Sequence, residues 1–115
     1  MSRPTRSYFM LNVEDMARAV GFYRAIAGDE VVRFESEQIT ELKHGPTTIA
    51  LHAGGGQARA SGLVLEVADV DVASDAVVRS GGSIVSAPYD RPDGVRVADV
   101  RDTEGNGFTL AGDVT

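Results

Sequence analysis

One pattern of residues occurs twice in this chain, 54 positions apart: Leu11-Asn12-Val13-Glu14-Asp15-Met16 lies over Leu65-Glu66-Val67-Ala68-Asp69-Val70. Gly28, with Val31 and Val32 after it, lies over Gly82, with Val85 after it. Ile49-Ala50-Leu51 lies over Phe108-Thr109-Leu110, displaced by five further residues. Two copies are too few to stack as a solenoid, where each repeat buries its neighbour's face. They fit instead two similar modules paired in one pseudo-symmetric domain. A pairing of that kind leaves a cleft between its halves, and what lines the cleft then decides function.

Each copy carries the same order of elements. Ser7 to Val13 alternates Tyr8, Met10 and Asn12 against Phe9, Leu11 and Val13, the period of a strand with one apolar face. Asp15 is placed to cap a helix in which Met16, Ala19, Val20, Tyr23 and Ile26 form one stripe, with Gly28 as its stop. Strands are predicted over Glu30–Glu35, Gln38–Lys43 and Thr47–Ala53, the last two joined at Gly45-Pro46. Ala53 to Ser61, centred on Gly54-Gly55-Gly56, reads as a linker. It lacks the Gly-Lys-Ser/Thr ending of a phosphate loop. The second copy then gives a strand over Gly62–Val67 and a helix from Asp69 or Asp71 to about Ser80, stopped by Gly81-Gly82. Strands near Ser83–Ala87, Val95–Arg101 and Gly107–Ala111 follow, with Asp102–Asn106 as a turn. The acidic residues that recur in both copies, Asp15 and Asp69, together with Asp102, read as caps and turn formers, not as metal ligands.

Composition narrows the partners. At 115 residues the chain is one domain, predicted as module one over 7–53, a linker over 54–61 and module two over 62–112. No run of about 18 apolar residues is present, so no membrane partner is expected. The segment Met1–Arg6 has no apolar stretch behind it and does not read as a secretory signal. With no cysteine there is no disulfide, no thiol chemistry and no thiolate metal site, and the expected location is cytoplasmic. A net charge of −6 with Lys43 as the only lysine argues against a nucleic-acid partner, which needs clustered cations.

Two β-α-β-β-β modules in this order resemble the vicinal oxygen chelate superfamily, which includes glyoxalase I, bleomycin-resistance proteins and extradiol dioxygenases. The matching residues are Val13-x-Asp15 leading to Phe22-Tyr23, then Val67-x-Asp69, Gly81-Gly82, Pro88 followed by Gly94-Val95-Arg96, and Asp102-x-x-Gly105-Asn106. Thr103 stands where the family usually has proline in that last turn. The resemblance implies an α+β fold in which the two modules form a cup-shaped mixed sheet. Helices cover its outer face and the ligand lies in the cup.

Given that arrangement, the apolar register packs outward on the helices: Phe9, Leu11, Val13, Ile49, Leu51, Leu63, Leu65, Val67, Phe108 and Leu110. The opposite register lines the cup. The expected ligand-binding residues are therefore Tyr8, Met10, Asn12, Thr48, Ala50, His52, Gly62, Val64, Glu66 and Thr109, with Ala111 beside them. Asp99 joins them as the odd polar residue in an apolar strand, although the facing of Val95–Arg101 stays open. The metal-dependent members carry ligands at four positions, which by pattern fall on Tyr8, Ala50, Gly62 and Thr109. Alanine and glycine supply no donor atom, so no metal site and no cofactor are expected.

The expected function is thus metal-independent binding of a small organic molecule, in the concrete form of sequestering a drug or natural product, by a homodimer. The alternative is a metal-free isomerase or lyase with His52 or Glu66 as general base.

Overall fold

The computed structural model of the chain describes residues 3–27 and 32–114. The first module consists of β1 (Phe9–Val13), α1 (Met16–Ala27), β2 (Val32–Glu35), β3 (Ile39–His44) and β4 (Thr47–Ala53). The second consists of β5 (Ala60–Glu66), α2 (Val70–Arg79), β6 (Ser83–Asp90), β7 (Val95–Arg101) and β8 (Gly107–Asp113). The fold is α+β, two βαβββ modules, as predicted. Gly28, the predicted helix stop, and the first residues of the predicted second strand lie outside the described residues. Among the described residues no helix is long and apolar enough to cross a membrane.

Each module makes a four-stranded sheet, ordered β1-β4-β3-β2 in one and β5-β8-β7-β6 in the other. The first strand of each pairs in parallel with the last, and the remaining pairs are antiparallel. β1 lies beside β5, and α1 touches α2, so the modules meet along their first strands and their helices. Local chemistry explains the helices. Asp15 Oδ1 accepts the Arg18 N–H at 3.0 Å, and Asp69 Oδ1 accepts the Val72 N–H at 3.0 Å, which satisfies one orphan donor at each helix start.

The core runs without a break through both modules. Leu11, Val13, Ile49, Leu51, Leu63, Leu65, Phe108 and Leu110 are buried against α1 and α2, with Phe22, Tyr23 and Val77 as the helix contribution. Val67 is partly buried against the same cluster. Phe22 and Tyr23 meet edge to face at 5.1 Å between centroids, and Phe22 lies 6.2 Å from Phe108 of the other module. Phe9 departs from the prediction. It shares the apolar register but is 39 % exposed, because it stands at the first residue of β1, and burial on that face begins only at Leu11.

Candidate ligand-binding site

The face of the sheet turned away from the helices carries rows of side chains, two of which define the centre of each module. In module one, Met10 pairs with Ala50, and Ala50 with Glu41. The next row is Asn12, His52 and Ile39. In module two, Val64 pairs with Thr109, Thr109 with Asp99, and Asp99 with Ser86. The next row is Glu66, Ala111, Val97 and Tyr89. The 54-residue repeat places Met10 over Val64, and the row register then places Ala50 over Thr109 and Glu41 over Asp99. This settles the facing of β7: Asp99 lies on the concave face, where its Oδ1 accepts the Thr109 hydroxyl at 3.1 Å.

The two halves of this face are filled differently. Over module two a concavity of about 740 Å³ is bounded by Val64, Val85, Asp99, Arg101 and Thr109, with Arg59 at its edge. Val64 is 52 % exposed there. Over module one, Ala50 is only 2 % exposed, so this predicted lining residue is enclosed. The alanine methyl is the small member of its row, between Met10 and Glu41. Glu41 itself was not foreseen from the sequence. Its side chain is 13 % exposed and accepts two bonds from the Arg6 guanidinium, at 2.7 and 3.2 Å. The same guanidinium lies 4.5 Å above the Tyr8 ring, a cation–π contact. The segment before β1 is thus folded over this half of the face, and Met10, at 47 % exposed, stands beyond it. Thr48 is half-buried on β4, opposite Lys43.

His52 and Asn12 are occupied by the inter-module linker. A Cβ on Gly55 would meet His52 Nδ1 and Asn12 Oδ1, so this glycine is required by close approach of backbone to side chains. Asn12 Nδ2 also donates to the Gln57 carbonyl at 3.0 Å. Glu66 is exposed at the other end of module two, in a shallow depression with Val95, Ala111 and Asp113. Neither His52 nor Glu66 borders the large concavity. Gly62 has φ of +76° inside a register shift of β5, a left-handed conformation that favours glycine.

One turn carries much of the hydrogen bonding between the modules. The Asp102 carboxylate accepts the Tyr23 hydroxyl at 2.6 Å and the backbone N–H of Glu104 and Asn106 at 2.8 Å each. Asn106 Nδ2 donates to the Asn12 carbonyl of β1 at 2.8 Å, and Asn106 Oδ1 accepts the Arg59 N–H at 3.1 Å. Glu104 Oε1 accepts the N–H of Glu14 and of Asp15, both at 2.9 Å, while Arg18 binds Oε2 at 2.8 Å. Burial alone would push the Glu104 carboxyl up. The bonds from Arg18, the Asp15 N–H, Thr103 and the Glu14 N–H outweigh it and hold the pKa down at about 2. Burial, reinforced by the Asp102 charge, pushes the Tyr23 phenol far above its ordinary value, so it stays a donor.

This architecture, two βαβββ modules with an open concave face, defines a class of fold. The chain belongs to the Glyoxalase/Bleomycin resistance protein/Dioxygenase superfamily, whose family model matches residues 5–110. No curated protein matches the sequence. Among solved structures it is similar to a glyoxalase/bleomycin resistance protein/dioxygenase family enzyme from Burkholderia phytofirmans PsJN, at 20 % identity and a TM-score of 0.81, covering 94 % of this chain and 98 % of that one. It is similar to lactoylglutathione lyase from Agrobacterium tumefaciens at 20 % identity and a TM-score of 0.69, covering 96 % of each chain. TioX from Micromonospora sp. ML1 matches at 20 % identity and a TM-score of 0.66, covering 95 % of this chain and all of that one. At these identities the likeness speaks to the fold alone.

The residues present do not fit the divalent metal of the metal-dependent members. Ala50 and Gly62 have no side-chain donor, Tyr8 offers only a phenol, and the Thr109 hydroxyl is committed to Asp99. Glu41, the nearest carboxylate on the module-one row, is engaged by Arg6. Among the described residues no group of three or more His, Asp or Glu side chains is placed to hold a metal ion.

Proposed function

We propose that this protein binds a small organic molecule on the concave face without a divalent metal, and that it acts by sequestering a drug or natural product as bleomycin-resistance-type members of its superfamily do. The observation that carries this reading is an open concavity of about 740 Å³ bordered by Gly62 and Thr109, two of the four ligand positions, while the other two are held by Tyr8 and Ala50. That size lies within the range of about 300–1,000 Å³ typical of small-molecule sites, and its lining mixes apolar groups with a few polar ones. Affinity comes from burying ligand surface on Val64 and Val85, with Asp99 and Thr109 fixing orientation.

Binding is favoured over a metal-free isomerase or lyase because His52 and Glu66 lie in different places. His52 sits under Gly55, and Glu66 sits in its own depression, so the two do not converge on one substrate atom as acid–base chemistry requires. A homodimer in the cytoplasm completes the reading. Among the described residues β2 and β6 end their sheets with unpaired edges, and Phe9 is exposed, so a second copy has surface to cover.

A thermal-shift screen over a chemically diverse natural-product library, run with and without Zn²⁺, Ni²⁺ and Mn²⁺, tests the proposal. Ligands that raise the melting temperature equally in both arms are expected. Turnover of a hit, or stabilisation only in the metal arm, would contradict it. Light scattering at micromolar concentration is expected to give the dimer mass, and a monomer mass would remove that part.

A further inference from the structure

We infer that the module-two concavity is built for an organic anion, with Arg59 and Arg101 as its carboxylate-binding pair and Asp99 as the acceptor for a donor on the same molecule. The inference rests on the binding reading above and names the class of ligand. The carrying observation is a contrast among cations. Arg6, Arg18, Arg91 and Arg96 are each paired with a carboxylate. Arg3, Arg24, Arg59, Arg79 and Arg101 have no ion pair among the described residues, and of these only Arg59 and Arg101 border the module-two concavity. In a chain of net charge −6, two unneutralised guanidinium groups at one hollow stand out against the overall field.

Strand register sets their backbones on either side of β8. Arg101 pairs with Gly107, and Gly107 pairs with Ala60, the residue after Arg59. The backbone of Arg59 is fixed from both sides, because its N–H donates to Asn106 Oδ1 at 3.1 Å and its carbonyl accepts the Gly107 N–H at 3.1 Å. Gly105 and Gly107, which carry no side chain, border the same concavity. Guanidinium is the group best matched to a carboxylate, which it binds through two parallel N–H···O bonds. Asp99 lies two residues before Arg101 on the same face of β7, roughly 7 Å along the strand. Its Oδ1 takes the Thr109 hydroxyl, and a carboxylate has capacity for a further donor. The apolar surface of Val64 and Val85 and the volume of the hollow call for a body of aromatic size between the two polar ends, not for a bare inorganic anion.

The probe is 6-hydroxy-2-naphthoate, with 6-hydroxy-2-naphthamide as its uncharged counterpart and inorganic phosphate as the bare anion. Titration calorimetry is run on the wild-type chain, on R59Q/R101Q and on R79Q, which removes a remote exposed arginine at the end of α2. Circular dichroism confirms that each variant is folded. The carboxylate is expected to bind the wild type about tenfold tighter than the amide, a preference lost in R59Q/R101Q and kept in R79Q. Phosphate is expected to bind far more weakly than the naphthoate. Equal affinity for acid and amide, a preference that survives in R59Q/R101Q, phosphate binding as tight as naphthoate binding, or no naphthoate binding at about 10 mM would each overturn the inference. The library screen reads the broader binding function separately, because hits there without naphthoate binding here would leave that function standing.

Discussion

Module one and module two share a backbone plan and differ in what each does with it. The β3–β4 connection of module one is the short turn Gly45-Pro46, with His44 paired to Thr47 across it. The β7–β8 connection of module two is longer, and its Asp102, Glu104 and Asn106 reach back to Tyr23, to the start of α1 and to β1. The concave faces differ in the same sense. Module one has its central alanine enclosed and its Glu41 neutralised by Arg6, whereas module two leaves Val64, Asp99 and two arginines open. A repeat in sequence therefore fixes the symmetry of the fold, while the departures from the repeat separate a half whose concave face is covered from a half whose concave face is open.

The sharpest way to break this comparison is at the turn. Asp102→Ala leaves a buried tyrosine hydroxyl and two backbone N–H groups without their acceptor. A loss of about 3–5 kcal/mol in urea unfolding is expected, since stranding buried polar groups costs more than the bonds themselves contribute. A loss below about 1 kcal/mol would show that the modules hold together without the turn. Leu65→Ala in the helix-facing row of β5 is expected to cost about 2–5 kcal/mol through the cavity it opens. That outcome separates the core face from the cup face. If Leu65→Ala were silent and Tyr8→Ala were not, the two faces would have been exchanged.

Acid sharpens the same contrast. The Glu104 pKa is lowered to about 2 from 4.5, so its contribution is present above about pH 4.5 and is lost as pH falls toward 2. At 1.36 kcal/mol per unit the loss is at most roughly 3 kcal/mol. Unfolding midpoints at pH 7 and pH 3 are expected to converge more closely in Glu104→Gln than in the wild type. An unchanged pH dependence in that variant would show that Glu104 is not the group being titrated. The smallest effect is expected from Tyr8→Ala. Its ring is exposed, so a stability change within about 0.5 kcal/mol is anticipated by thermal melting.

Much of this was legible in the sequence because it is periodic. The repeat fixed the order of elements, and the period-two strands separated Leu11, Leu65 and Leu110 from Met10, Val64 and Thr109. Asp15 and Asp69 cap their helices from positions that local sequence announces. Long-range contacts were not legible. Asp102 reads locally as a turn former, which it is, yet its strongest partner is Tyr23, far away in the chain. Gly54-Gly55-Gly56 reads as a linker, yet Gly55 also lies against His52 and Asn12, two residues expected to face the ligand. Glu41 was missed because an isolated glutamate in β3 carries no signal until the sheet aligns it with Ala50. That Arg59 and Arg101 border one hollow is invisible for the same reason, since the β5–β8–β7 register alone sets them on either side of β8.

The central claim is that the concave face takes its ligand without a metal. The most direct measurement titrates a hit from the natural-product screen into untagged protein before and after chelation, with elemental analysis of the same samples. The expected result is one affinity in both samples, with bound Zn, Ni, Mn and Fe far below one equivalent per chain. About one equivalent of any of these metals, lost on chelation together with ligand binding, would contradict the account.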